Sequence, residues 1–355
     1  MSFVTENRKI ANIYQRSAIY FVPRYQRDYV WKEVNWKELW LDLQFTIENG
    51  DKIPWSHFLG TIVLNESKEK ENGLDKYEII DGQQRLMTVY LLFIALYKNF
   101  KRLSKDYDNF SNYIYETYLT SLNNESKREL MVNNEQYNID LKIIIDAASE
   151  NESISKSNKL YNAFTYFDNN LKDKNYYYLN KFWEKLLSVN IVEITSAEDE
   201  EIYNIFEVLN ARGQRLKQIE LLKNHIMKYI QPREKELIDK AKTKWMNIQN
   251  NINDLSDSDA LIQHFSRCYI EKDADNKNSI YRLIKDEVKI EDLGNFLSEL
   301  EDFSYIYKDL TEKNSKNKVI KYFDIKRNQQ IKSLLCAIKV LADKGVITEK
   351  TKEEA

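Results

Sequence analysis

The chain has 355 residues and a formal net charge of −3 with both signs interspersed, which excludes a protein wholly given to coating nucleic acid and leaves only local basic patches for that purpose. Seven glycines and three prolines among many Lys, Glu, Asn, Ile, Leu and Tyr residues point to a helix-rich protein, and the length predicts two cores or one core with large helical additions. Only Cys268 and Cys336 occur, which excludes a disulfide framework and a thiolate zinc site; with no apolar leader and no run of 18 apolar residues, a cytoplasmic protein without a membrane span is expected.

In chain order, Ile19 to Val22 reads as a short strand that meets Pro23. The loop in VPRYQRDYVW (22–31) places Arg24, Gln26 and Arg27 between aromatic anchors, where two arginines and a tyrosine suit phosphates or a base; taken alone, a solvated loop explains them equally. In WKELWLDLQFTIEN, Trp36, Trp40, Leu43 and Ile47 recur at helical spacing. FLGTIVL (58–64) and KYEIID (76–81) are apolar runs of strand length across a charged, glycine-containing link, and they suit a hairpin. QRLMTVYLLFIALYKNF (84–100) is apolar on nearly every side and short for a membrane span, so a core helix is expected.

Residues 101–180 turn rich in Lys, Asp, Asn, Ser and Tyr and read as a helical insertion, divided by the solvated link SENESISKSN (149–158). SVNIVEIT (188–195) returns to strand character. Ser196 then suits the cap of a helix with an acidic first turn, whose stripe of Ile202, Ile205, Phe206 and Leu209 ends at Gly213, a good C′ residue. LKQIELLKNHIMKYI follows as another helix, and residues 231–355 read as a helical domain. The expected class is therefore α+β, with a small mixed sheet and its helices in 1–230 and helices alone beyond.

The chemistry concentrates at IDGQQRL (80–86), where a strand hands over to the apolar helix. Such a junction exposes unpaired N–H groups at a helix start that favours anions. Gly82 allows close approach or positive φ, Arg85 is a fork-shaped phosphate donor, Asp81 can hold a magnesium-bound water or cap the helix, and Gln83 and Gln84 can orient a water or read a base edge. A tight turn with Asp81 as N-cap and Arg85 in a surface ion pair is the plain alternative. FEVLNARGQRL adds Glu207, Asn210 and Arg212 beside Gly213, a carboxylate, an amide and a cation at a helix end. His264 and Cys268 share a helix face at i, i+4; a buried histidine and a buried thiol explain them better than a metal pair without further ligands.

VPRYQRDYVW, YEIIDGQQRLMTVYLL and IFEVLNARGQRLKQIELLKN, in this order, resemble the DGQQR family, the N-terminal module of GmrSD-type modification-dependent restriction enzymes and of related phage-defence proteins. The resemblance spans roughly residues 15–230. It implies a ParB/sulfiredoxin-like nucleotide-binding core that hydrolyses an NTP with Mg²⁺ and regulates cleavage of modified foreign DNA. It assigns Asp81 to the metal, Asp81, Gln83, Gln84 and Glu207 to catalysis, and Arg24, Gln26, Arg27, Gly82, Arg85, Asn210, Arg212 and Gly213 to the nucleotide. Relatives usually carry Asp where this chain has Glu220. Many continue into an HNH-type nuclease, whereas His57, His225 and His264 stand far apart here, so the nuclease is expected on a further domain or a partner chain. A DNA-binding adaptor that holds nucleotide without turnover is the alternative function, and a homo-oligomer is left open.

Overall fold

The computed structural model describes residues 3–23, 26, 28–49, 57–103, 108–134, 137–152, 158–198, 202, 205, 217–230, 239–253, 257–270, 280–311 and 330–348. Two units divide the chain, Met1–Gly213 and Gln214–Ala355. The first contains β1 (Val4–Lys9), β2 (Ala18–Phe21), β3 (Phe58–Glu66), β4 (Asp75–Asp81), β5 (Thr120–Leu122), β6 (Arg128–Leu130), β7 (Val132–Asn133) and β8 (Asn190–Ser196). β5 and β6 pair with each other, and the rest form one mixed sheet in the order β1-β8-β3-β4-β2-β7. The expected hairpin is present, with β3 and β4 antiparallel; β3 also pairs in parallel with β8, and β2 in parallel with β4.

Around this sheet stand α1 (Ile10–Tyr14), α2 (Glu33–Asn49), α3 (Gln83–Leu103), α4 (Asp108–Ile114), α5 (Asn138–Glu150), α6 (Lys159–Leu171) and α7 (Tyr176–Leu187). α3 is the expected core helix, and every residue from Leu86 to Phe100 is buried. Its all-round apolar character follows from having no solvent face: α4, α5, α6 and α7 pack against it, with α2 over α6 and α7. Two buried polar residues near its C-terminal end bond to Asp168 on α6. Lys98 Nζ donates to Asp168 Oδ2 at 2.9 Å and to the Glu152 carbonyl at 2.8 Å, while Asn99 Nδ2 donates to Asp168 Oδ1 at 2.8 Å.

The stretch 101–180 is helical in the main, but it also supplies β7, which extends the sheet through the parallel register Tyr20↔Val132 and Phe21↔Asn133. Two residues are too few for alternation to register as a strand in the sequence. After β8, the Glu198 N–H donates to Ser196 Oγ at 3.1 Å and Ile202 is buried, whereas Phe206 and Leu209 lie outside the described residues.

The second unit holds α8 (Gln218–Tyr229), α9 (Lys240–Ile252), α10 (Asp259–Tyr269), α11 (Ile280–Glu287), α12 (Leu293–Thr311) and α13 (Gln330–Asp343), and no named strand falls in it among the described residues. Leu222, Trp245, Ile248, Phe265, Leu297 and Phe303 are buried in it. His264 is buried with Nδ1 3.1 Å from the Tyr307 hydroxyl, and burial pushes the Cys268 thiol up to about 11. Among the described residues no three His, Cys, Asp or Glu side chains gather as metal ligands. No helix among the described residues is long and apolar enough to cross a membrane.

Candidate functional site

β4 ends at Asp81, α3 begins at Gln83, and the residue between them turns the chain with φ +93°. A Cβ on Gly82 would stand 2.5 Å from Ile62 Cγ2 and 3.3 Å from the Ile62 Cα, so both the turn and the packing on β3 demand glycine. The Gly82 carbonyl accepts the Leu86 N–H at 3.0 Å and opens the helix. Gly82 rather than Asp81 therefore occupies the cap position.

Asp81 is turned toward Arg85, whose Nη2 donates to Asp81 Oδ2 at 3.0 Å. The ion pair of the tight-turn reading is present, yet the two side chains are 22% and 39% exposed, so it faces solvent and is not sealed in the core. The other end of the guanidinium points at Gly60 of β3, which has φ +109°. Sequence reasoning missed Gly60, although a glycine inside an apolar strand run is itself a signal of close approach.

Gln83 and Gln84 differ sharply. Gln83 is 4% exposed, and neither its Nε2 nor its Oε1 has a hydrogen-bond partner. Gln84 is buried and engaged: Oε1 accepts the Val30 and Trp31 N–H groups at 2.8 and 3.3 Å, and Nε2 donates to the Asp28 carbonyl at 3.1 Å. With Oε1 filled and one Nε2 hydrogen used, Gln84 holds the loop of the first motif and keeps one N–H donor in reserve.

Other bonds tie the same loop to the junction. Gln26 Nε2 donates to the Ile80 carbonyl at 2.8 Å, one residue before Asp81. The Tyr29 hydroxyl lies 2.7 Å from Thr88 Oγ1 on α3 and accepts from Trp36 Nε1 at 2.8 Å, and burial raises its pKa above the ordinary tyrosine value. The first two motifs thus meet at one place. Beyond the loop, Trp31, Lys32, Trp36, Asn162, Thr165 and Tyr166 help to line a cleft of about 610 Å³ between the start of α2 and α6.

Arg24, Arg27, Glu207, Asn210, Arg212 and Gly213 lie outside the described residues. Glu220, the departure from the usual Asp, accepts the Lys217 N–H at 3.3 Å and so caps the start of α8 in the second unit. His57 precedes β3 with its Nδ1 3.7 Å from Asp42 Oδ2; burial lowers its pKa and Asp42 opposes that shift.

The family model described as GmrSD restriction endonuclease, N-terminal domain, matches residues 10–227, which include the whole β3–β4–α3 junction. No curated protein matches the chain.

Proposed function

Because the chain belongs to the GmrSD restriction endonuclease N-terminal domain family, and so is a component of a phage-defence restriction system, we propose that it binds and hydrolyses an NTP to regulate cleavage of modified foreign DNA. On this reading the first unit has a ParB/sulfiredoxin-like core, and an HNH-type nuclease on a further domain or partner subunit makes the cut. The observation that carries it is the Gln83 carboxamide, buried without a partner beside the partly exposed Arg85–Asp81 pair at the start of a 21-residue helix. An unpaired buried amide costs about 1–3 kcal/mol, and a ligand that meets it recovers that cost.

Arg85 and the unpaired N–H groups of the first turn of α3 hold phosphate oxygens. On this reading the Gln83 amide orients an attacking water, Gln84 and Gln26 hold the described part of the first-motif loop at the junction, and Arg24 and Arg27 contribute by their place in that motif. Glu207, Asn210, Arg212 and Gly213 complete the pocket by their place in the family motif. Mg²⁺ held through Asp81 would neutralise charge on the phosphates; with no ligand trio among the described residues, phosphate oxygens and water would supply its other ligands.

Two variants test the division of roles. A charge-assisted hydrogen bond is worth roughly 1.5–3 kcal/mol, so Arg85→Ala should weaken NTP binding by about ten- to a hundredfold. Asp81→Ala should lower Mg²⁺-dependent turnover more than affinity, because the metal acts on charge developed during phosphoryl transfer. Assays with the four NTPs read both. Binding without turnover by the wild-type protein would turn the reading into the nucleotide-dependent DNA-binding adaptor, and normal hydrolysis by folded Asp81→Ala would remove its catalytic role.

A further inference from the structure

We propose that Gly60 is a positioning residue for Arg85: its missing side chain is the seat that holds the guanidinium at the angle needed for phosphate. The proposal rests on the reading that Arg85 holds phosphate, and it adds a residue outside the three motifs that first marked the site. Two independent features single out Gly60.

The first is backbone geometry. Gly60 has φ +109°, a conformation that side chains with a Cβ rarely adopt, in the interior of a strand where glycine otherwise weakens pairing. It lies within the register shift between Phe58 and Thr61, where β3 departs from regular pairing with β8. Such an irregularity bends a strand and re-aims what stands on it. The second is contact. A Cβ built on Gly60 would fall on Arg85 Nη1, with Cζ 3.5 Å and Cδ 3.8 Å away, so the guanidinium points its Nη1 end at the space the glycine leaves open.

The two ends of the guanidinium are therefore placed by different partners. Nη2 meets Asp81 at 3.0 Å, and Nη1 points into the space where Gly60 lacks a Cβ. Two residues further along β3, Ile62 packs against Gly82, so one short piece of that strand supports both the turn and the arginine. Positioning of this kind matters because a displacement on the order of 1 Å can cost about a hundredfold in rate. A methyl group at position 60 would push the mobile end of Arg85 away and leave the core of the sheet in place.

The test is a cycle of Gly60→Ala, Arg85→Ala and the double variant in the full chain, with Gly345→Ala as the control for backbone strain. Gly345 has φ +69° and nothing within 4 Å of its built Cβ, so alanine there reports a positive-φ penalty without a clash, a lower bound on the backbone strain at φ +109°, and the coupling with Arg85→Ala isolates the contact. Thermal midpoints without ligand should show that Gly60→Ala destabilises more than the control, and that adding Arg85→Ala restores part of the loss. Affinities for the four Mg²⁺-NTPs should fall about tenfold in Gly60→Ala, with no further fall when it is added to Arg85→Ala, as for loss of one positioned ionic hydrogen bond. Additive stabilities would overturn the proposal, as would wild-type affinity in Gly60→Ala alongside weak binding in Arg85→Ala. If the wild-type protein binds none of the four NTPs while the stability coupling persists, it is the phosphate reading that fails.

Discussion

Adjacent glutamines at the start of α3 meet opposite surroundings, and their replacement should have opposite effects. Gln84→Leu strands the Val30 and Trp31 N–H groups and the Asp28 carbonyl. With about 1–3 kcal/mol for each stranded buried group and part of the loop still reached by water, a loss of about 2–3 kcal/mol in urea unfolding is expected. Gln83→Leu removes an amide that has no partner. It should leave stability unchanged or raise it by about 1 kcal/mol while NTP turnover falls, the pattern of a residue retained for function. Equal destabilisation by both replacements would show that Gln83 is structural too.

At the scale of elements, α3 carries a buried ammonium group near its C-terminal end. Lys98 is 8% exposed and is held by Asp168 and the Glu152 carbonyl, so Lys98→Met leaves the Asp168 carboxylate short of its counter-ion. A loss of about 3–5 kcal/mol in chemical denaturation is expected, less if Asp168 takes up a proton. The helix was legible in the sequence to within a few residues, and so were the β3–β4 hairpin and β8, because long apolar runs report burial directly. β1 and β7 were not. Val4–Lys9 is a mostly polar edge strand and Val132–Asn133 is only a dipeptide; each is a strand because of a partner distant in sequence. The site divides in the same way. Asp81, Gly82 and Arg85 form a local pattern, whereas the separate duties of Gln83 and Gln84 depend on a loop more than fifty residues away. The place of Gly60 beside Arg85 depends on sheet pairing that no local pattern encodes.

For the whole molecule, His57 links stability to pH. Burial lowers its imidazole below the ordinary value of 6.5, with Asp42 opposing, so the folded chain takes up the proton less readily than the unfolded chain. Stability from this residue is therefore complete above pH 6.5 and is lost as the pH falls toward the depressed folded value. The fall in thermal midpoint from about pH 7.5 to about pH 5.5 should be smaller for His57→Gln than for the wild-type chain, and equal falls would remove His57 from the account. The pairing of β1 with β8 also has a consequence for how the chain comes into being. β1 leaves the ribosome well before residues 190–196 and must wait for them before its ladder can form. α3, complete at residue 103, is meanwhile without two strands of the sheet and without α4 to α7. At about 5–20 residues per second the delay from the end of α3 to the start of β8 is roughly 4–17 s, an interval in which the apolar surface of the nascent helix is covered only stepwise.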